Sequence, residues 1–274
     1  MNGEPQHVRV NGLTFRCRLE GPEGAPWLVF SNSLLTDLSL WDAQVEAFRD
    51  RFRILRYDKR GHGGTEVPAG PTTMEQLADD ASALMEHFGV ERATFIGDSI
   101  GAATALLLGA RSAGQPDGRI AALVPVDGQP ATAPGGDALW QERIDFAARE
   151  GMSALAEATL RRWFAPASFE AGNPAIPRVR AMVEATPEAG FVACVRALQS
   201  YDIRAGLPGI RLPVLMIAGA ADGAIPGIMR GLTEVIPGSS FVEIPDAGHL
   251  PGIEAPARFN AVLGGFLEEQ AARG

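Results

Sequence analysis

The residues best suited to chemistry in this chain form the run Gly97-Asp98-Ser99-Ile100-Gly101, in which a serine stands between two glycines. β-type residues precede the run at 93–96, and an Ala- and Leu-rich helical stretch follows it at 102–110. A serine on a sharp turn between a strand and a helix needs small neighbours, because the two backbones come close together there. The run therefore predicts an exposed nucleophile, Ser99, with the N–H of Ile100 as one donor of an oxyanion hole.

A serine of this kind acts through a base, and the base is held in place by an acid. His249 is the candidate base, because it follows the β-type run 241–244 and precedes the C-terminal helical stretch, from where its ring can reach Ser99. The acid is expected in the loop after the β-type run 213–218, where Asp222 is the carboxylate. The order serine, aspartate, histidine along the chain is the order of the α/β-hydrolases.

Alternatives to these assignments are present in the sequence. The Gly-x-Ser-x-Gly pattern also arises by chance in a Gly-rich chain. Asp246 is a rival acid, although it is so near His249 in sequence that a bond to the ring nitrogen Nδ1 would be awkward. Asp222 can also be read as a turn-capping residue. The other histidines lie in the N-terminal strand region, a glycine turn and a helical stretch: His7, His62 and His87.

The apolar pattern predicts the elements that position these groups. Two early strands, 8–10 and 13–19, are expected to form a hairpin through the turn Asn11-Gly12. Six later strands are apolar without alternation, which is typical of a parallel sheet covered on both faces; they are expected at 27–30, 53–57, 93–96, 121–126, 213–218 and 241–244. The fold class is α/β: an α/β-hydrolase fold with a mostly parallel eight-stranded sheet, helices on both faces and a helical cap insertion.

The cap is predicted from a long stretch without a core strand, between Asp127 and Leu212. A lead-in rich in Pro and Gly at 129–136 is followed by amphipathic stretches at 138–149, 152–164, 177–185 and 190–201. We therefore expect a helical cap at 131–204 on a core made of 1–130 and 205–274. A cap over a pocket excludes water and selects the acyl group that fits.

The cap also carries the candidate specificity residues. Trp140 and Arg143 share one helical face because they are three residues apart, and Arg162 and Trp163 lie at a second helix end. An arginine beside a tryptophan in a pocket offers a fork for a carboxylate with an apolar wall behind it. The alternative is that these arginines are solvated rim residues and the tryptophans pack against the core.

Several segments carry a family resemblance. The most specific are the loop Ser31-Asn32-Ser33-Leu34 and the cap segment Arg162-Trp163-Phe164, and others are Arg56–Gly63 and Gly248–Pro256. Over nearly its whole length the chain resembles the 3-oxoadipate enol-lactonases of aromatic catabolism. A second oxyanion donor is expected from the loop after the third strand, and the resemblance implies that it is the N–H of Leu34.

Two residues beside the predicted reacting centre depart from the pattern of that family. Leu35 stands where the family usually has a glycine, and Asp98 precedes the serine where the family usually has a leucine. Leu35 is expected to reshape the oxyanion loop. Asp98 would repel an anionic substrate if it faced the pocket, or it can point outward and bond to backbone or solvent. Both are therefore included among the candidate substrate-binding residues.

Composition excludes several partners. The net charge is −9 and no run of Lys or Arg interrupts it, so nucleic acid and anionic membranes are not expected partners. No apolar run approaches the roughly 20 residues of a spanning helix, and residues 1–5 lack the features of a signal peptide, so a cytoplasmic location is expected. Cys17 and Cys194 are expected to be buried thiols. The spacing of cysteines and histidines suits no metal, and a monomer or small homo-oligomer is expected.

These residues together predict a serine hydrolase without a cofactor. It would open a small lactone or ester through an acyl-enzyme, most like the hydrolysis of 3-oxoadipate enol-lactone. The same apparatus serves carboxylesterases, acyl-homoserine lactonases, C–C hydrolases and perhydrolases, because the site and not the fold determines function. A small-molecule binding or tailoring protein without turnover is a further alternative.

Overall fold

The sheet begins with the hairpin that Asn11-Gly12 predicts. In the computed structural model, which describes residues 3–112 and 118–273, β1 (Gln6–Val10) pairs antiparallel with β2 (Leu13–Glu20). The two turn residues have φ of 47° and 80°. A two-residue turn with positive φ at both positions matches the twist of the strands that it joins.

Six further strands complete the sheet: β3 (Trp27–Ser31), β4 (Arg53–Tyr57), β5 (Ala93–Asp98), β6 (Ile120–Val126), β7 (Leu215–Gly219) and β8 (Ser240–Ile244). Their order is β1-β2-β4-β3-β5-β6-β7-β8. β2 pairs antiparallel with β4, and the pairs from β4 to β8 are parallel. The predicted mostly parallel eight-stranded sheet is confirmed.

Helices pack on both faces of this sheet, as expected. The helices are α1 (Asp42–Phe48), α2 (Met74–His87), α3 (Ile100–Arg111), α4 (Gly136–Trp163), α5 (Pro166–Glu170), α6 (Ala175–Ala185), α7 (Glu188–Leu198), α8 (Ile225–Leu232), α9 (Pro251–Glu254) and α10 (Pro256–Arg273), with 3-10 turns at Leu38–Trp41 and Arg204–Gly209. Successive side chains of a strand point to opposite faces of the sheet and join different apolar clusters. Phe30 and Ile96 belong to one cluster, and Val29 and Phe95 belong to the other. Cys17 and Cys194 are buried free thiols.

The segment between β6 and β7 consists of helices. Within it, isolated bridges join Ala131 to Asp202 and, just before β7, Val214 to Leu123 of β6. Gly151 interrupts α4 with φ 83° and ψ 170°, which divides it near the junction of the stretches predicted at 138–149 and 152–164. The helix α5 was not predicted. The cap boundaries stay a prediction, and residues 1–2, 113–117 and 274 of the predicted core lie outside the described residues.

Two glycines allow the backbones to meet below Ser99. A Cβ atom on Gly97 would lie 2.0 Å from the carbonyl oxygen of Gly101, and one on Gly101 would lie 2.4 Å from that of Ser31. Strand β5, helix α3 and strand β3 are thus in direct backbone contact, which no larger residue permits.

None of the helices in the described part of the chain is long and apolar enough to cross a bilayer.

Replacing Gly101 by Ala should lower the free energy of unfolding by on the order of 3 kcal/mol, because the new methyl group collides with the backbone at Ser31. Urea denaturation measures this loss. Gly227→Ala in α8 is the matched control, since its added Cβ meets no atom within 4 Å and should stabilise the helix by about 0.5–1 kcal/mol. Equal stability of the two variants would contradict the tight contact.

Candidate active site

Ser99 lies on a strained turn between β5 and α3. Its φ of 56° and ψ of −110° are outside the regions that a residue with a side chain prefers. Its N–H donates to the carbonyl oxygen of Val126 at 2.8 Å, and α3 begins at Ile100. The first N–H groups of a helix have no partner within the helix, so Ile100 offers a donor beside the Ser99 hydroxyl.

His249 and Asp222 form a close pair. Nδ1 of His249 lies 2.7 Å from Oδ2 of Asp222, and the two side chains are 12% and 11% exposed. Burial favours the neutral ring, but the charge of Asp222 and its hydrogen bond to the ring together outweigh burial and raise the pKa of His249. Burial likewise opposes ionisation of Asp222, but the charge of His249 lowers the pKa of this carboxyl. The rival Asp246 is 80% exposed and pairs with Arg258 at 3.3 Å, so the structure places Asp222 against the ring.

The loop that carries His249 is bound to the end of α4. The N–H of His249 donates to the carbonyl oxygen of Trp163 at 2.7 Å, and the two rings lie 5.3 Å apart between centroids. The carboxylate of Glu254 accepts from the N–H groups of Gly248, at 2.7 Å, and Ala165, at 2.9 Å. The cap and the His249 loop therefore hold each other in place. Sequence reasoning assigned no role to Glu254.

One cavity of about 120 Å³ joins the predicted groups. The predicted residues that line it come from the triad, the oxyanion hole and the cap: Ser99, Asp222, His249, Leu34, Ile100, Trp140, Arg143, Arg162 and Trp163. The space between Ser99 and the cap side chains is therefore large enough only for a small molecule.

Leu35 and Asp98 lie elsewhere than predicted. Leu35 is fully buried in an apolar core, because its left-handed φ of 61° turns the chain at this point of the loop. Asp98 is 2% exposed, ends β5 and lies next to the Ser33 hydroxyl. Neither side chain lines the cavity. Their assignment as substrate contacts is therefore corrected, and so is the alternative that Asp98 points outward to solvent.

A buried lysine that sequence reasoning missed supports the oxyanion loop. Lys59 is 3% exposed, and its ammonium donates to the carbonyl oxygens of Ser33 and, at 3.3 Å, Thr36. These carbonyls lie on either side of Leu34, whose N–H is the implied second donor. Burial lowers the pKa of Lys59 to about 8. Its position directly after β4, at the carboxyl edge of the sheet, was the signal available in the sequence.

The contacts of the buried Asp98 carboxyl do not fully offset the cost of burying its charge. Burial raises its pKa to about 8, although the charges of His249 and Lys59 favour its ionised form. Its Oδ1 atom has no hydrogen-bond partner among the described residues. At neutral pH most molecules therefore hold Asp98 in the protonated state.

The cap side of the cavity carries positive charge. The guanidinium of Arg143 lies 5.7 Å from the centroid of the Trp140 ring and donates to Oγ1 of Thr159 at 2.8 Å. Burial and the neighbouring Arg162 lower the pKa of Arg143 to about 10. In residues 3–112 and 118–273, no carboxylate forms a salt bridge with Arg143 or Arg162.

A group with metal-ligand chemistry is formed by Asp127, Asp222 and His249, whose ligand atoms lie within 4.8 Å of one another. Asp222 and His249 are already bonded to each other. Both oxygens of Asp127 accept from the N–H of Gly219, at 3.0 and 3.2 Å. The atoms that could bind a metal ion are thus engaged with one another or with the backbone, and do not form an open coordination site. Sequence reasoning missed Asp127, although it directly follows β6.

Comparison with known proteins agrees with this architecture. The family model for the alpha/beta hydrolase fold matches residues 26–256. The chain is 33% identical to 3-oxoadipate enol-lactonase 2 of Acinetobacter baylyi over 257 residues, which is 93% of this chain and 91% of that protein. It is 30% identical to a putative carbamate hydrolase RutD of a Caulobacter species, over 85% of this chain and 87% of that protein.

A solved structure gives the same result. The enol-lactonase from Burkholderia xenovorans matches with a TM-score of 0.89 and 38% identity, over 96% of this chain and 100% of that one. The chain therefore belongs to the α/β-hydrolase fold family and is a hydrolase. Within that family it is similar to the 3-oxoadipate enol-lactonases, as its motifs predict.

We expect Ser99→Ala and His249→Ala each to reduce hydrolysis of a short p-nitrophenyl ester by on the order of 10³-fold or more, because such groups act as a unit. Circular dichroism should show an unchanged fold. Asp222→Asn should cost far more activity than Asp246→Asn, since only Asp222 contacts His249. Activity near wild type in the Ser99 or His249 variant would exclude the assignment, and the reverse ranking of the aspartates would transfer the acid role to Asp246.

Asp98→Asn should change how stability depends on pH. The folded state keeps the Asp98 proton up to a pKa of about 8, whereas the ordinary pKa of an aspartate, which applies in the unfolded chain, is 3.8. The folded state therefore binds more protons in this window, and the stability of the wild type falls as pH rises through it. The stability of Asp98→Asn relative to wild type should grow between about pH 5 and pH 8, by at most about 1.4 kcal/mol per pH unit.

Urea denaturation of both proteins across this range measures the difference. A difference that does not change with pH would mean that Asp98 is ionised in the folded state, as would one that shrinks as pH rises.

Proposed function

We propose that this hydrolase opens a small lactone or ester that carries a carboxylate, of the 3-oxoadipate enol-lactone type, through an acyl-enzyme on Ser99. The observation that carries the proposal is the positive charge of Arg143 and Arg162 in the cavity that Ser99 and His249 also line, where no carboxylate of the described residues forms a salt bridge with either arginine. A partly buried guanidinium without a carboxylate partner is costly to the free protein. An anionic ligand supplies the missing partner.

Arg143 is the principal candidate for this contact. Its Nε atom is buried and has no hydrogen-bond partner among the described residues, so these residues do not fill the hydrogen-bonding capacity of the guanidinium. The fork geometry of a guanidinium matches a carboxylate, and Trp140 provides an apolar wall beside it. Arg162 is more exposed and adds positive charge nearer the solvent. If Arg143 binds the carboxylate of the substrate, the ester or lactone carbonyl at the other end of the substrate can reach Ser99.

The first chemical step is attack on the carbonyl carbon of the substrate. His249 takes the proton of Ser99 as the hydroxyl oxygen forms the new bond. Asp222 stabilises the charged ring, in keeping with the raised pKa of His249. The N–H groups of Leu34 and Ile100 hold the oxyanion, and Lys59 keeps the carbonyls around Leu34 fixed.

The second step releases the leaving oxygen and then the acyl group. His249 returns its proton to the leaving oxygen, and afterwards activates water to hydrolyse the acyl-enzyme. In a lactone the leaving oxygen stays attached to the acyl group, so it remains in the cavity. In an enol lactone the released enol can become a ketone, which makes the ring opening effectively irreversible.

We expect Arg143→Leu to lower kcat/KM for an acidic substrate and to spare a neutral one. The p-nitrophenyl monoester of adipate and p-nitrophenyl hexanoate suit this test, because they differ only by a terminal carboxylate in place of a methyl group. A hydrogen bond to a charged group contributes about 1.5–3 kcal/mol. The preference for the acidic ester should therefore fall by about tenfold or more.

Arg161→Leu is the matched control, because Arg161 is an exposed arginine on the same helix and does not line the cavity. It should leave the preference unchanged. If the wild type prefers the neutral ester and neither Arg143→Leu nor Arg162→Leu changes the preference, the substrate is an uncharged lactone or ester. Adding an enol-lactone, an acyl-homoserine lactone and a carbamate to the panel then separates the remaining substrate classes.

A further inference from the structure

A second carboxyl group stands behind the proposed triad. Asp127 follows β6, is 1% exposed and lines the same cavity as Ser99. Its carboxyl faces the carboxyl of Asp222, with an oxygen of each within 4.8 Å of the other, and each group shifts the pKa of its neighbour. Asp222 in turn contacts Nδ1 of His249 at 2.7 Å. Asp222 therefore lies between His249 on one side and Asp127 on the other.

Two carboxyl groups in contact at a buried site cannot both be ionised, so the pair holds one proton. The surroundings decide where this proton lies. Asp222 faces the positive charges of His249 and Arg162, which lower its pKa against the effect of burial. Burial raises the pKa of Asp127 well above its ordinary value, and the negative charge of Asp222 raises it further. The proton therefore resides on Asp127.

The backbone also places Asp127 to act on Asp222. Its N–H donates to the carbonyl oxygen of Ile217 at 2.9 Å, and its φ of 44° is in the left-handed region. Its oxygens accept from the N–H of Gly219, whose own carbonyl accepts from the N–H of Asp222 at 3.0 Å. Asp127 thus contacts the last residue of β7, from which the acid loop starts, and faces the acid itself.

We propose that Asp127 is a positioning residue whose protonated carboxyl donates a hydrogen bond to Asp222 and thereby fixes the carboxylate oxygen that faces His249. The inference goes beyond the proposed substrate and rests on the proposed function only for the roles of Ser99 and His249. Asp127 touches neither reacting atom, and it acts through Asp222. A purely structural Asp127 would instead serve as an ionised acceptor for Gly219.

Two variants separate these roles. Asp127→Asn keeps an acceptor for Gly219 and an N–H donor for Asp222, whereas Asp127→Leu keeps neither. Hydrolysis of a short p-nitrophenyl ester should show kcat reduced by about tenfold or more in Asp127→Leu, as expected for a lost hydrogen bond to a charged group. KM should change little, and Asp127→Asn should recover most of the lost kcat. Wild-type kcat in Asp127→Leu would overturn the proposal.

The charge of Asp127 is tested without turnover. The pKa of His249 is measured by NMR in the Ser99→Ala protein, with and without Asp127→Asn, and its signal is assigned by its loss in His249→Ala. Exchange of one neutral donor for another should move this pKa by less than about half a unit, whereas loss of an ionised carboxylate nearby should lower it by about one unit or more. The larger shift would overturn the proposal.

The NMR result stands whether or not the leucine variant folds, because it uses only the asparagine variant. It also separates failure of this inference from failure of the proposed function. If Ser99→Ala retains esterase activity, the nucleophile assignment fails, while the titration of His249 still reports the charge of Asp127.

Discussion

The hydrogen bond between His249 and Asp222 is the contact on which the rest of the site depends. Burial opposes the charged form of each group, and each offsets that cost for the other. The pair forms because β7 and β8 are parallel neighbours and release their loops at the same edge of the sheet. The two loops are bonded to each other through the N–H of Ala221 and the carbonyl of Ala247, at 2.8 Å. The sheet thus sets a geometry that flexible loops would not hold.

Charge is divided between two sides of the cavity. Carboxyl groups lie below the proposed nucleophile, at the carboxyl ends of β5, β6 and β7, and guanidinium groups lie above it, on the cap. Near the loop that carries Leu34, Lys59 is buried and Asp98 is held in its protonated form. Under the proposed function, an anionic ligand is attracted to the cap arginines and presents its carbonyl end to Ser99. The net charge of −9 for the whole chain gives no hint of this local arrangement.

The sequence was sufficient for the parts that depend on local pattern. Apolar runs located the strands, and the glycines around Ser99 located the turn, because both signals are confined to a few residues. The directions of individual side chains were harder to predict. Leu35 and Asp98 were placed at the substrate because they adjoin the reacting centre in sequence, but the left-handed turn at Leu35 and the end of β5 put both behind the cavity wall. The roles suggested for Lys59 and Asp127 depend on contacts between strands distant in the chain, which no local pattern records.

The most direct test of the account is covalent labelling of the proposed nucleophile. The protein is treated with diethyl p-nitrophenyl phosphate, which phosphorylates an activated serine, and the modified residue is located by mass spectrometry of its peptides. We expect a label on Ser99, with labelling slowed by on the order of 10³-fold in His249→Ala, because the base that activates the hydroxyl is then absent. A label on another residue, or equally fast labelling of Ser99 without His249, would contradict it.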